Sequence, residues 1–275
     1  MRSLPSLRAV GALAAVAVVV VMGIRAGQRV DFGRLTWWPL ALALAAAISW
    51  WLLLARGWAL LATGHAGRRD VAVWCRTQVL RYLPGGIWAP VSRATLLRGS
   101  ALDRVSTVLA ENVIALSTAI AIGGLALAAS GRPVWALAVV VLAAPSVALR
   151  ALGERTRLAP GRTRRTAAND AVAFLAYAVA AVAVQGAVSG LSHPLAVAGG
   201  AAIAWAAGLV VVFAPGGIGV RELVYVALLS STLPSDDLAA AAVTMRLVMI
   251  AAELSVLLIV GARPRAPRPA PSPSD

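Results

Sequence analysis

Apolar residues occur in long runs, separated by short segments that hold most of the arginines, prolines and glycines. Several runs approach or reach the roughly 20 residues that a membrane-spanning helix needs. These runs are 9–24, which is short, then 37–62, 105–130, 133–149, 168–189, 195–213 and 238–260. Little sequence remains for a soluble domain. The pattern therefore predicts an all-α polytopic membrane protein.

Composition agrees with this prediction, because 60% of the residues are hydrophobic and 13% are charged. Soluble domains are closer to about 45–50% apolar. The 25 basic residues are all arginine and outnumber 11 acidic residues, for a net charge of +14. In a polytopic membrane protein such an excess indicates cytoplasmic loops at an anionic membrane surface, and we expect no nucleic-acid partner.

The residue types that usually hold metals are scarce. The only cysteine, Cys75, excludes an internal disulfide and a thiolate metal cluster. His65 and His193 lie far apart, with no metal-ligand spacing. The sequence therefore predicts no metal site and no cofactor.

The two ends of the chain are predicted separately. No clear small-residue cleavage site follows the run 9–24, so we interpret this run as an uncleaved anchor rather than a signal peptide. Proline recurs every two or three residues in the tail 263–275. Such a segment is expected to be disordered and exposed to solvent.

The sequence Pro-Gly-Gly-Ile occurs twice, at 84–87 and 215–218, 131 residues apart. The same shift lays run 37–62 over 168–189, and run 105–130 over 238–260. This correspondence predicts a single transmembrane domain over 1–262 with repeat halves 1–131 and 132–262.

The distribution of arginine predicts how the halves are oriented. If each half has three spanning helices and one Pro-Gly-Gly hairpin, the odd number of crossings inverts the second half relative to the first. With both termini in the cytoplasm, this topology places eighteen arginines inside and five outside. The prediction is thus an inverted repeat with six spans and two hairpins, or seven to eight spans if a hairpin crosses fully.

The first Pro-Gly-Gly is flanked by arms of thirteen residues, 71–83, and eleven residues, 87–97. At about 1.5 Å per residue neither arm crosses a hydrocarbon core of about 30 Å. The segment is therefore predicted to be a re-entrant hairpin, while the arms around Pro215 are longer. Non-helical backbone at this depth must line protein or a water-filled cavity, so the tips predict a cavity.

Two kinds of residue are candidates to bind a ligand there. The tip glycines leave backbone N–H groups open at half-helix N-termini; they are Gly85, Gly86, Gly216 and Gly217. Arg93 and Arg221 follow the two prolines at related helical positions, so both are predicted to face the tips and to suit a phosphate or carboxylate. The alternative is that Arg93 extends to the interface and that Arg221 pairs with Glu222 or another acid.

Ionisable residues within the predicted spans are candidates as well. Glu111, Arg246 and Glu253 lie in apolar runs, and the seven-residue spacing of Arg246 and Glu253 is too long for a tight intrahelical pair. We expect Glu111 and Glu253 to pair with hairpin arginines, for ligand binding or for structure alone. Tryptophans near span ends predict an aromatic belt; they are Trp37, Trp38, Trp58, Trp74 and Trp135. Trp88, close to the first tip, is a candidate to line the cavity.

The stretches RYLPGGIWAPVSRATLL with VLAENVIAL, and FAPGGIGVRELVYVALL, resemble the lysylphosphatidylglycerol synthase transmembrane-region family, a flippase-like module. The resemblance covers nearly the whole chain. It implies a polytopic protein of the bacterial inner membrane that binds or translocates lipids. The residues that match its motifs are Pro84, Gly85, Arg93, Glu111, Pro215, Gly216, Gly217, Gly219, Arg221 and Glu222. The sequence leaves no room for the aminoacyl-transferase domain of the synthases, so lipid lysinylation is not expected.

Three functional hypotheses follow. The first is a lipid flippase whose cavity holds an anionic or polyprenyl-phosphate head group against Arg93 and Arg221, driven by a gradient or by lipid consumption, since no ATP-binding motif is present. The second is a non-catalytic partner that recruits a separate transferase through the basic loop 150–165. The third is a membrane-embedded transferase with Glu111, Glu222 or Asp103 as its general base. The first is preferred, with membrane lipids as partners and no catalytic residue assigned.

Overall fold

The computed structural model describes residues 33, 35–83, 87–97, 99–137, 160–211 and 215–260. The predicted anchor 9–24, the first tip residues Pro84, Gly85 and Gly86, and the tail 263–275 lie outside the described residues. In the described part of the chain there are eight α-helices and no strand, so the all-α prediction is confirmed. The helices are α1 (Trp37–Thr63), α2 (Arg68–Gln78), α3 (Trp88–Leu96), α4 (Ala101–Ala129), α5 (Pro160–Ser189), α6 (Pro194–Val210), α7 (Val220–Leu229) and α8 (Ser235–Val260). Short 3₁₀ turns occupy Val79–Tyr82, Pro133–Leu137 and Pro215–Gly217.

Four of these helices, α1, α4, α5 and α8, are long and apolar enough to cross a membrane. All four end within one residue of their predicted runs. Three of them also begin within four residues of the predicted start, whereas α5 begins eight residues earlier. Helix α6 is apolar but has 17 residues and ends before the predicted limit of 213. Of the predicted run 133–149, the structure describes only the 3₁₀ turn at its start.

Local sequence explains several helix ends. At the start of α4, the Ser100 hydroxyl accepts the Asp103 N–H at 3.1 Å and the Asp103 carboxylate accepts the Ser100 N–H at 3.2 Å. This capping box satisfies donors that a helix start leaves free. Helix α1 ends at Gly64, whose φ of 83° is accessible to glycine at little cost.

Helices α1 and α5 make the most extensive helix contact, and aromatic rings fill their interface. The Trp50 and Trp51 rings pack edge to face at 4.9 Å, as do those of Phe174 and Trp205. Tyr177 completes the cluster at 5.1 Å from Trp50. Such geometry adds to the burial of large apolar surfaces. A cluster of aromatic side chains from α1, α5 and α6 therefore lies inside the bundle.

Two further contacts define which helix ends lie together. Leu61, near the end of α1, packs with Ala110 and Ile114 in the first half of α4. Ala240 and Val243, near the start of α8, pack with residues that include Val188 at the end of α5. Thus α2 and α3 are inserted between two neighbouring helix ends, and α6 and α7 between another two.

Candidate functional site

A cavity of about 490 Å³ lies among helices from both halves of the chain. This volume falls within the range of small-molecule sites, about 300–1,000 Å³. Five tryptophans contribute to its wall: Trp50, Trp51, Trp58, Trp74 and Trp205. The ionisable side chains on the wall are Arg81, Arg93, Glu111, Asp170 and Arg221. The cavity is therefore largely apolar, with a few charged groups on its wall.

Arg93 of α3 pairs with Glu111 of α4, with Nε 3.2 Å from Oε2. The Trp74 indole N–H donates to the other carboxylate oxygen of Glu111 at 2.6 Å. Arg93 is only 3% exposed, so the alternative in which it extends to the interface is wrong. The predicted cross-helix pairing of Glu111 is present, and the Arg93 Nη1 remains buried without a hydrogen-bond partner among the described residues.

Arg81, in the turn before the first Pro-Gly-Gly, pairs with Glu253 of α8 at 2.7 Å. The Tyr82 hydroxyl donates to the same Glu253 oxygen, also at 2.7 Å. The Arg81 guanidinium lies 4.5 Å from the Trp51 ring centroid, a favourable cation–π distance. The predicted pairing of Glu253 with an arginine from the hairpin is therefore present, although Arg81 itself was not a sequence candidate.

Arg246 of α8 donates through Nε to Glu222 of α7 at 3.0 Å and through Nη1 to the Gly216 carbonyl at 3.2 Å. Glu222 also accepts the Gly219 N–H at 2.7 Å, which caps α7. The start of α7, predicted to be available to an anionic ligand, is therefore occupied by a carboxylate of the same helix. The alternative pairing of Arg221 with Glu222 is wrong, because Glu222 pairs with Arg246.

Arg221 has no hydrogen-bond or ion-pair partner among the described residues, and its Nε is buried. Its guanidinium lies 5.6 Å from the Trp205 ring centroid. Gly208 and Gly217 make room for it, since a Cβ on Gly217 would lie 2.7 Å from the Arg221 Nε. Arg246 and Arg81, which are also close enough to act on it, are each paired with a carboxylate, whereas Arg221 is not.

The second Pro-Gly-Gly begins a 3₁₀ turn at Pro215, with Gly216 and Gly217 at φ of 61° and 71°. These left-handed conformations favour glycine. Both glycines lie on the cavity wall, and Gly219, at φ 84°, precedes α7. The matching tip at 84–86 lies outside the described residues, but the turn just before it contacts the second motif.

Only some of the tryptophans have the exposure that the sequence predicted. Trp37 and Trp38 are 77% and 54% exposed, as a belt requires, but Trp58 and Trp74 are each 3% exposed and line the cavity. Trp88 is 38% exposed and is not part of the cavity wall. The belt assignment of Trp58 and Trp74 and the cavity assignment of Trp88 are therefore corrected, because proximity to a span end does not determine which face a side chain occupies.

Sequence reasoning missed several wall residues. Asp170 is 2% exposed on α5, and its only signal is that it is the one acid between Glu154 and Glu222. Trp50 and Trp205 resemble ordinary core residues in sequence. The indole N–H of Trp50, like that of Trp58, is buried without a hydrogen-bond partner among the described residues.

The three carboxyls considered as general bases are already engaged. Glu111 and Glu222 pair with arginines, and Asp103 caps α4. A comparison with protein-family models found no match, and a comparison with curated proteins found none either.

Proposed function

We propose that this protein is an integral membrane lipid transporter of the flippase type, which binds an anionic lipid head group in the 490 Å³ cavity. Arg221 is the principal contact of the head group, and the acyl chains stay in the bilayer. A phosphate that belongs to a phospholipid or to a polyprenyl-phosphate sugar fits this chemistry. We also propose that the protein belongs to the family that the two Pro-Gly-Gly motifs resemble, and that it lies in a bacterial cell membrane.

The observation that carries the proposal is the unpartnered guanidinium of Arg221 in a cavity of ligand size. A charged side chain at the centre of a membrane helix costs about 2.5–3.5 kcal/mol on insertion scales. Arg81, Arg93 and Arg246 offset this cost with a carboxylate each, whereas Arg221 has none among the described residues. An anionic head group supplies the missing negative charge.

Further donors on the wall support an oxygen-rich ligand. The buried indole N–H groups of Trp50 and Trp58 have no partner in the described part of the chain, although both rings line the cavity. A buried donor without an acceptor costs about 1–3 kcal/mol. A phosphate or sugar hydroxyl in the cavity would satisfy such donors. Arg93, held by Glu111, then plays a secondary part.

The packing of helix ends supports the inverted arrangement with two re-entrant hairpins. Helix α2 follows the end of α1 and α3 precedes α4, and the end of α1 packs against the first half of α4. Helices α6 and α7 are bounded in the same way by α5 and α8. At about 1.5 Å per residue, the 11 residues of α2 and the nine of α3 are too short to cross a membrane. In the proposed function the two halves rock about the cavity and expose it to each leaflet in turn.

Native mass spectrometry of copurified lipids tests the proposal. We expect the wild-type protein to retain one class of anionic lipid that Arg221→Gln loses. Arg56→Gln is the matched control, because Arg56 is exposed on α1 and lies outside the cavity wall. If wild type and Arg221→Gln carry the same bulk membrane lipids, the cavity does not select an anionic head group and the proposal is wrong.

A further inference from the structure

Helix α5 carries a polar stripe from Asp170 to its C-terminal end, and most of this stripe is buried. Asp170, Tyr177, Gln185 and Ser189 are spaced by seven, eight and four residues, which places them on one face of a helix. Asp170, Tyr177 and Gln185 are 2%, 5% and 1% exposed, whereas Ser189 is exposed at the helix end. The nineteen residue-to-residue steps from Asp170 to Ser189 rise about 28 Å, close to the thickness of a hydrocarbon core.

Hydrogen bonds connect the residues of this stripe that lie nearest the C-terminal end of α5. The Tyr225 hydroxyl of α7 donates to Gln185 Oε1 at 3.0 Å, and Gln185 Nε2 donates to Ser189 Oγ at 2.6 Å. A polar route therefore leads from the buried Tyr225 to the exposed end of α5.

A second, smaller cavity of about 50 Å³ lies beside this route. Tyr177 and Tyr225 line it, and Arg221 lies on the walls of both cavities. A water molecule needs about 10–15 Å³ of such volume and several polar partners, so the small cavity has room for water. Polar groups and water-sized space therefore occur at several points between Asp170, on the wall of the large cavity, and Ser189.

Asp170 is the only acidic side chain of α5. Its carboxyl accepts one long hydrogen bond, from the Asn169 amide at 3.3 Å, and it has no cationic partner among the described residues. Helix α1 presents Gly57 to it, where a Cβ would lie 2.5 Å from the Asp170 Oδ1. Burial of an unpaired carboxylate is costly, whereas a protonated carboxyl is neutral.

The other charged groups around Asp170 do not offset a negative charge there. Glu111 of α4, itself held by Arg93 of α3, repels it. Helix α6 has no ionisable side chain within Pro194–Val210. On the other helices packed against α5, Arg56 of α1 is exposed, and Arg246 and Glu253 of α8 pair with Glu222 and Arg81.

We propose that Asp170 is a proton-binding site, reached from the exposed end of α5 along the polar stripe, and that its proton is bound together with the anionic ligand of Arg221. Proton binding converts the carboxylate to the neutral acid, and the proton comes from the water at the Ser189 end. The ionised carboxyl adds negative charge to the wall that receives the head group, so protonation removes a repulsion. By reciprocity, the bound anion strengthens proton binding. The proton site stands on its own, whereas its coupling to lipid movement rests on the proposed function.

Infrared difference spectroscopy of the full chain in detergent, titrated with alkali, tests the proton site. The carbonyl band of a protonated carboxyl should be present in wild type near neutral pH, disappear as the pH rises, and be missing from Asp170→Asn. Asp170→Glu should keep a shifted band. Asp236→Asn is the control, because Asp236 is an exposed acid in the first turn of α8. Identical spectra for wild type and Asp170→Asn would overturn the proton site.

Vesicles of phosphatidylglycerol with a trace of fluorescent phosphatidylglycerol test the coupling. An imposed pH gradient should change the rate of lipid exchange between leaflets by about fivefold or more in wild type, the lower end of ordinary coupling, and leave Asp170→Asn unaffected. Exchange in wild type that ignores the gradient overturns the coupling but keeps the lipid function. If wild type exchanges no lipid, both the lipid function and the coupling are lost for this lipid, and the infrared band alone decides the proton site.

Discussion

The ring of Tyr82 lies beside Gly216, where a Cβ would be 3.3 Å from the Tyr82 Cε1. Tyr82 comes just before the first Pro-Gly-Gly, and Gly216 belongs to the second. The Tyr82 hydroxyl also donates to Glu253 at 2.7 Å, which ties α8 to the same contact. The two motifs therefore meet inside the bundle, and the cavity wall is built from both halves of the chain.

This contact predicts that Gly216→Ala destabilises the protein. Gly216 has a φ of 61° and a ψ of 16°, and this left-handed conformation costs an alanine about 1–2 kcal/mol. The added Cβ also presses on the Tyr82 ring. We expect a lower midpoint of thermal unfolding in detergent, followed by tryptophan fluorescence. Gly161→Ala is the control, since a Cβ there meets open space. Equal midpoints for the two variants would show that the turn adapts.

Close packing of α4 on α6 predicts a second destabilising substitution. A Cβ on Gly199 would lie 2.7 Å from the Gly123 carbonyl oxygen and 2.9 Å from the Leu127 backbone nitrogen. Backbone atoms cannot rotate away, so Gly199→Ala must separate the helices. Overpacking of this kind costs about 1–3 kcal/mol. The same thermal measurement checks it, with Gly190→Ala as a comparison at an open site that has backbone strain alone.

The buried pair of Arg93 and Glu111 predicts strong non-additivity. Removal of one partner leaves an unpaired buried charge, which costs about 3–5 kcal/mol. We expect Arg93→Gln and Glu111→Gln each to lower the free energy of unfolding by about that amount, and the double variant to lose much less than their sum. A double-mutant cycle of unfolding measures this coupling. Additive losses would mean that the two side chains do not depend on each other.

The sequence predicted the long helices well because hydrophobic length alone determines them. Helices α1 and α8 end within one residue of their predicted runs. It also predicted that Glu111 and Glu253 pair across helices, since a buried carboxylate in an apolar helix needs a cation. These predictions depend on composition and length, which are properties of the chain itself.

Residue roles that depend on helix rotation were not predictable in the same way. Trp74 precedes the first motif along the chain and Trp88 follows it, yet only Trp74 lies on the cavity wall. Glu222 was expected to be available to Arg221 or to a ligand, but the position of α8 brings Arg246 to it instead. Asp170 went unnoticed because its burial depends on the missing Cβ of Gly57, 113 residues earlier.

The inverted arrangement predicts that the connections after α1 and after α5 lie on opposite sides of the membrane. Ala66 follows α1 and Ser192 follows α5, and both are exposed. In a Cys75→Ala background, Ala66→Cys and Ser192→Cys provide single labelling sites of comparable exposure. A membrane-impermeant maleimide applied to intact cells should label Ser192→Cys but label Ala66→Cys only after the cells are lysed. Because α5 runs antiparallel to α1 in a six-span topology, labelling of both sites from the same side would contradict the inverted repeat, and the proton path along α5 would then need a different source of protons.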